Sequence, residues 1–234
     1  MDFLERLNEA QRTAVTAGGG PVLVLAGPGS GKTRVLTHRI AFLIQALGVP
    51  SYAILAVTFT NRAAREMKLR VEEMLGQEVG EIWLGTFHAM CARILRREYA
   101  VTPYDRNFVI MDSDDQEKLV KQAIEELKID SKLYKPASMH AAISNAKNQM
   151  IWPEEFKPSG YREEVIRRIY LQYNKLLVAN NAVDFDDLLL WAVRILEKNP
   201  EIRQRYARRF QHVLVDEFQD TNAVQYRFMQ LISS

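Results

Sequence analysis

The segment PVLVLAGPGSGKT, Pro21–Thr33, joins a short apolar run to a glycine-rich loop that ends in lysine and threonine. A continuous apolar run of this length is typical of a strand buried on both faces of a parallel sheet, so we predict a strand over Pro21–Gly27. Glycines in the loop let the backbone curl and direct its N–H groups at phosphate oxygens. From Lys32 onward the apolar spacing is helical, which would place a helix N-terminus at the same phosphates.

This phosphate loop predicts a nucleoside triphosphate site. We expect Lys32 to reach the β- and γ-phosphates and Thr33 to hold Mg²⁺. Ala26 stands where the usual motif begins with glycine. The alternative is a glycine-rich turn followed by lysine and threonine by chance, and the flanking strand and helix patterns argue against it. The loop residues assigned to the nucleotide are Ala26, Gly27, Pro28, Gly29, Ser30, Gly31, Lys32 and Thr33.

Strand and helix patterns alternate along the chain. Further buried-strand patterns occur at Ala53–Thr60, Ile82–Phe87 and His212–Glu217, and helical patterns follow the first two. This alternation is typical of βαβ units, so we predict an α/β fold with a RecA-like parallel sheet flanked by helices. Between Asp112 and Arg209 nearly every pattern is helical. We therefore predict a nucleotide-binding lobe over residues 1–110 and 206–234, with an all-helical insertion over residues 111–205.

Acidic residues follow the last strand pattern in VLVDEFQDTN, Val213–Asn222. Ligands of nucleotide-binding α/β sheets lie beyond the carboxyl ends of the strands. Asp216 could hold Mg²⁺, and Glu217 could accept a proton from the water that attacks the γ-phosphate. The alternative is a pair of solvated acids in a loop. With the phosphate loop already present, the pair indicates hydrolysis as well as binding.

Composition narrows the class of protein. Of 234 residues, 47% are hydrophobic, and no apolar run reaches the length needed to cross a bilayer. The acidic, amphipathic start does not resemble a secretory signal. Cys91 is the single cysteine, which fits a reducing cytosol. A net charge of +2 does not indicate a nucleic-acid binder, so any basic surface that binds nucleic acid must be confined to one part of the molecule.

Six segments resemble, in order, motifs of the UvrD/PcrA/Rep superfamily 1 DNA helicases. They are LNEAQRTAV, AGPGSGKTR, VTFTNRAAREM, GTFHAMCARIL, DFDDLL and VDEFQDTN. The resemblance spans nearly the whole chain. It implies the first motor lobe of an ATP- and Mg²⁺-dependent helicase of the bacterial cytosol or nucleoid. Its partners would be single-stranded DNA and junctions of single- and double-stranded DNA, with movement in the 3′→5′ direction.

The resemblance also implies roles for residues around the nucleotide. Gln11 corresponds to the family's adenine-reading glutamine, and Arg34 to an arginine that lies against the adenine. Gln219 and Asp220 belong to a motif that links the nucleotide state to the DNA track. For Asp220, a helix cap before Asn222 is an equally strong interpretation.

The DNA track is expected where two strands end. In the family these ends bind single-stranded DNA, and the corresponding residues are Thr58, Phe59, Thr60, Asn61, Thr86, Phe87 and His88. Phe59 could stack on a base, which contributes ~1–3 kcal/mol per base, and core packing is the alternative. For Phe87 the choice between stacking and core packing stays open. His88 could bond a phosphate or cap a helix.

Two expectations concern the acids of DFDDLL and the behaviour of the chain. The acids of DFDDLL lack the glycine and final glutamate of a calcium loop. In the family this element is the start of a helix near the DNA track, so the resemblance implies that Asp184 is a helix cap. We expect a fragment that lacks the second motor lobe, binds ATP weakly, hydrolyses it slowly or not at all, and does not unwind DNA. Alternatives are a nucleotide-gated DNA-binding module, a helicase subunit of a recombination nuclease, and an RNA helicase.

Overall fold

The computed structural model describes residues 2–233. In chain order its helices and strands are α1 (Asp2–Glu5), α2 (Glu9–Thr16), α3 (Lys32–Gln45), β1 (Ile54–Thr58), α4 (Asn61–Leu75), β2 (Trp83–Thr86), α5 (Phe87–Arg97), β3 (Val109–Ile110), α6 (Ser113–Glu126), α7 (Pro136–Asn148), α8 (Tyr161–Ala179), β4 (Ala182–Val183), α9 (Phe185–Lys198), α10 (Pro200–Arg209), β5 (His212–Val215) and α11 (Ala223–Ile232). Short 3₁₀ turns lie at Ser51–Ala53, Tyr99–Val101 and Phe218–Asp220. Within residues 2–233, no helix is both long and apolar enough to span a bilayer.

The chain divides into two compact units. Unit 1 contains residues 2–90, 204–220 and 232–233, and unit 2 contains residues 91–203 and 221–231. The sequence placed residues 91–110 in the lobe, but β3 pairs with β4, and Arg96 lies 4.6 Å from the ring centre of Phe108. These contacts explain why that stretch clusters with the helices of unit 2. The predicted lobe and insertion bounds stay a prediction.

Unit 1 is built on a parallel sheet of order β2-β1-β5. β1 is buried at every position and pairs with both neighbours, with Val57 opposite Gly85 on one side and Val215 on the other. Helices α3 and α4 cover the sheet with an apolar cluster of Ile40, Leu43, Ile54, Ala56, Met67, Val71, Val79 and Ile82. The α/β class with a parallel sheet flanked by helices is confirmed. Its strands end together, which brings the motif residues that follow them to one edge.

The predicted strand over Pro21–Gly27 is not a strand in the structure. Val22, Leu23, Val24 and Leu25 are 54%, 67%, 42% and 87% exposed, although their composition is that of a buried strand. A strand exists only where its backbone pairs with a neighbour, and side-chain composition alone does not provide that neighbour. The prediction from the apolar run was therefore wrong at this segment, while the helix predicted after it is present as α3.

Unit 2 is mostly helical. Its core is formed by α6, α7, α8 and the start of β4, through residues such as Val120, Ile143, Ile169 and Leu177. The two short strands β3 and β4 pair in parallel, a feature that the helical patterns did not predict. Two residues per strand give too weak a period to be recognised in the sequence.

Candidate nucleotide and DNA site

The phosphate loop has the backbone curl that its glycines predict. Gly29 and Gly31 have φ angles of 74° and 88°, a left-handed conformation that side chains with a Cβ rarely adopt. The hydroxyl of Ser30 donates to the carbonyl of Gly27 at 2.6 Å. Helix α3 begins at Lys32, immediately after Gly31. The unpaired N–H groups of a helix N-terminus therefore follow the loop directly, as an anion site requires.

Gln11 lies at this loop. Its side-chain N–H donates to the carbonyl of Ser30 at 3.0 Å, and its side-chain oxygen accepts from the N–H of Asn8 at 3.2 Å. Asn8 in turn accepts from the Gln11 backbone N–H at 2.8 Å, so the two residues form a capping box on α2. A Cβ added at Gly31 would lie 3.0 Å from the Gln11 amide nitrogen. The carboxamide thus connects the start of α2 to the phosphate loop.

Lys32 and Glu217 are brought together from opposite ends of the chain. The Lys32 ammonium lies 3.6 Å from the Glu217 carboxylate, and both side chains are about one-third exposed, at 29% and 36%. The Gln219 amide donates to the same carboxylate oxygen and also to Asp220. Glu217 has a φ of 48°, so a residue with a Cβ occupies the left-handed region. Such strain is typical of functional positions, where the surrounding structure holds a side chain in place.

Asp216 is more buried than Glu217, with 7% exposure. Its backbone N–H donates to Val57 at 2.9 Å, which continues the pairing of β5 with β1. Burial raises the pKa of Asp216 and the neighbouring Glu217 raises it further, whereas the Glu217 N–H, the Lys32 ammonium and the Thr58 hydroxyl lower it. The pKa of Asp216 lies above its ordinary value as a result, and these three groups offset only part of the cost of burying its charged form.

Thr33 and Asp216 fit a Mg²⁺ ion that is shared with phosphates. Mg²⁺ is usually held by one or two protein oxygens, several waters and substrate phosphates. Two protein oxygens of the right kind are present: the hydroxyl of Thr33, directly after the phosphate loop, and the carboxylate of Asp216, whose pKa the Lys32 charge lowers. Among residues 2–233, no three His, Cys, Asp or Glu side chains cluster as a metal cage. The chemistry suits an ion that arrives with the nucleotide.

The two predicted DNA-binding strand ends lie side by side, because Thr58 pairs with Thr86 in register. The next residues, Phe59 and Phe87, meet edge to face with ring centres 5.8 Å apart. Phe59 is 36% exposed and Phe87 is 1% exposed. The core-packing interpretation therefore describes Phe87, while part of the Phe59 ring remains open to solvent.

The hydroxyls at these strand ends have internal partners. Thr60 accepts from Ala63 N–H and caps α4, and Thr86 accepts from Ala89 N–H at the start of α5. Thr58 is 3% exposed, and its hydroxyl lowers the pKa of Asp216, which lies beside it in the strand register. Thr60 is exposed and so is Asn61, the first residue of α4. The sequence signal for the two caps was a threonine directly before a helical pattern.

Comparison with known proteins identifies the family. The model of the UvrD/REP helicase N-terminal domain matches residues 7–234. The chain belongs to this family. It is 46% identical over 233 residues to the ATP-dependent DNA helicase PcrA of Bacillus subtilis, and the aligned region covers 99% of this chain and 32% of that protein. It is 43% identical over 234 residues to PcrA of Staphylococcus epidermidis and of Staphylococcus aureus, with the same coverage.

The chain thus spans about one-third of the length of the curated relatives it matches, with 32% of each covered. The structure also shows the positions of three residues of the UvrD/REP family motifs. Arg34 donates to the carbonyl of Arg6 at 2.7 Å, so its guanidinium is anchored at the N-terminal side of α2. The side chain of Asn222 accepts from Gln225 N–H at 2.9 Å, so Asn222, and not Asp220, caps α11. His88 is half-buried in the first turn of α5.

Proposed function

We propose that this chain is the ATP-binding and single-stranded-DNA-binding motor lobe of an ATP-dependent DNA helicase. The contact between Lys32 and Glu217 carries the proposal, because it joins the phosphate loop to the acid that follows β5 at one edge of the sheet. A phosphate-binding lysine beside a carboxylate is the arrangement that nucleotide hydrolysis needs. The relatives that are named as ATP-dependent DNA helicases support the same function.

The residues of the site divide the work of hydrolysis. Lys32 and the N–H groups of the loop would hold the β- and γ-phosphates, and Gln11 would meet the adenine. Glu217 would accept the proton of the attacking water, with Gln219 orienting its carboxylate. Thr33 and Asp216 would hold Mg²⁺, which when bound neutralises the charge that develops on the phosphates. Arg34, anchored at Arg6, would lie at the adenine side.

Single-stranded DNA would run across the ends of β1 and β2. Phe59 offers a partly exposed ring for stacking on a base, and Thr60, Asn61 and His88 offer polar groups for phosphates. Contacts of this kind bind without reading the base sequence. Thr86 and Phe87 are both buried, so they would pack beneath this surface and not contact DNA directly.

The whole parent protein would move 3′→5′ along single-stranded DNA and open junctions in the bacterial cytosol or nucleoid. The chain alone would bind nucleotide but would not unwind a duplex, because translocation needs two lobes that close and open around the nucleotide. A nucleotide-gated DNA-binding module is the second candidate. The observation in its favour is that the Gln219 amide already donates to the Glu217 carboxylate.

ATP turnover of the chain, with and without saturating single-stranded DNA, tests the proposal. Glu217→Gln should preserve nucleotide binding and lower any turnover by about 100-fold or more, because it removes the general base. Lys32→Ala should weaken nucleotide binding itself. Glu78→Gln, an exposed glutamate of unit 1, is the matched control and should change neither quantity.

Three outcomes separate the candidates. Turnover abolished by Glu217→Gln supports the ATPase assignment. Tight nucleotide and DNA binding with no turnover, in this chain and in its full-length parent, favours the gated module. The absence of nucleotide binding would refute both.

A further inference from the structure

Thr58 was predicted to contact DNA, but its position points elsewhere. It is the last residue of β1, it is 3% exposed, and its hydroxyl lowers the pKa of Asp216. Strand pairing places the two residues beside each other: Val57 lies opposite Val215, and the Asp216 N–H donates to the Val57 carbonyl at 2.9 Å. The next residues along the two parallel strands are Thr58 and Asp216. Their side chains meet because the register places them beside each other.

The Asp216 carboxylate has one fixed donor: its oxygen Oδ1 accepts from the Glu217 N–H at 3.1 Å. The Thr58 hydroxyl lies beside it and lowers its pKa, as a donor to the charged carboxylate does. A second donor restricts the rotation of a buried carboxylate, so its remaining lone pairs point in set directions. Outer partners of this kind orient metal ligands and raise the affinity of the site for its ion.

We propose that Thr58 is a positioning residue for the magnesium-binding carboxylate of Asp216, and not a DNA contact. This inference rests on the proposed function, since it assigns the support of the same nucleotide site. Phe59, the adjacent residue, is the one whose side chain reaches solvent beside Phe87. The end of β1 thus serves two sites with consecutive side chains, one directed at the metal carboxylate and one at the DNA surface.

The experiment is a Mg²⁺ titration of nucleotide binding by the chain, followed with a fluorescent, non-hydrolysable ATP analogue. Thr58→Val keeps the shape of the side chain and removes only the hydroxyl. It should raise the half-saturating Mg²⁺ concentration about 10-fold or more. Thr58→Ser keeps the donor and should restore a value near that of the unsubstituted chain. Thr58→Ala, which also lacks the hydroxyl, carries the same expectation if valine disturbs folding.

Thr86 provides a matched control, because it pairs with Thr58 in register and is also buried, at 9% exposure. Its hydroxyl accepts from Ala89 N–H and has a capping role. Thr86→Val should therefore lower the melting temperature while leaving the Mg²⁺ titration unchanged. Affinity for single-stranded DNA is measured in parallel, and Thr58→Val should leave it unchanged.

The outcomes separate this inference from the proposed function. Mg²⁺-dependent nucleotide binding that Thr58→Val does not alter, or that Thr86→Val alters equally, overturns the positioning role and leaves the nucleotide site standing. Nucleotide binding that is independent of Mg²⁺ also overturns it. A loss of DNA affinity in Thr58→Val with an unchanged Mg²⁺ titration returns Thr58 to the DNA surface. If the unsubstituted chain binds no nucleotide, the proposed function fails as well.

Discussion

Lys147→Met is expected to destabilise unit 2 by about 3–5 kcal/mol, the usual effect of removing one partner from a buried ion pair. The Lys147 side chain is fully buried and lies 2.6 Å from Asp184 and 2.7 Å from Asp187, whose side chains are 2% and 0% exposed. Tyr173 donates to the same Asp184 oxygen at 2.9 Å. Methionine fills a similar volume but leaves both carboxylates without their cation. The loss is therefore dominated by uncompensated buried charge and not by a cavity.

Denaturant unfolding followed by tryptophan fluorescence is a suitable assay, because Trp152 and Trp191 lie in unit 2 with ring centres 5.0 Å apart. Lys118→Met is the control: Lys118 pairs with Asp115 on the surface, so its removal should shift the midpoint little.

Replacing both partner aspartates with asparagine in the Lys147→Met background should recover part of the loss, since no buried charge then remains. Asparagine at position 184 also retains a side-chain oxygen for the helix cap. A midpoint for Lys147→Met equal to that of the Lys118→Met control would refute the reasoning, because it would mean that the two carboxylates leave no uncompensated buried charge when the lysine is removed.

Three further outcomes are expected. Burial raises the pKa of Asp187 to about 7, so between about pH 4 and 7 the folded chain binds more protons than the unfolded chain. The free energy of unfolding should therefore fall as pH rises through this window. Asp187→Asn should flatten that slope when unfolding is measured at a series of pH values. Gly31→Ala should abolish nucleotide binding, measured by titration of a fluorescent analogue, because its φ is 88° and the new methyl group would crowd Gln11; equal affinity would contradict this. Phe59→Ala should weaken single-stranded-DNA binding, measured by fluorescence anisotropy, by roughly 5- to 150-fold, equivalent to ~1–3 kcal/mol for one stacked base. An unchanged affinity would exclude Phe59 from the DNA surface.

Local rules recovered the features that depend on near neighbours in the chain. The glycines of the phosphate loop predicted a curled backbone, and Gly29 and Gly31 have the positive φ angles that such a curl uses. The cap assigned to Asp184 is confirmed, since its carboxylate accepts from Asp187 N–H at 2.7 Å. Caps and tight turns involve residues within a few positions of each other, so their geometry follows from the local sequence.

Partners that are distant in the chain could not be found in this way. Asp184 and Asp187 gave no sign of their cation, because Lys147 is 37 residues before Asp184 and lies on another helix. The exposed segment Val22–Leu25 shows the converse: its composition predicted a buried strand, but no pairing edge covers it among the residues described.

By itself, the sequence determined the α/β class, the phosphate loop, the acid pair after the last strand and the family of the protein. Each of these depends on a short pattern whose physical meaning is local: glycine freedom, an apolar period, or a carboxylate at a strand end. Only the tertiary structure decided what each side chain meets. The register of β1 and β5 turned Thr58 towards Asp216, and the contact of Phe59 with Phe87 left part of one ring exposed. Strand register and helix packing bring together residues far apart in the chain, and those contacts assign the roles.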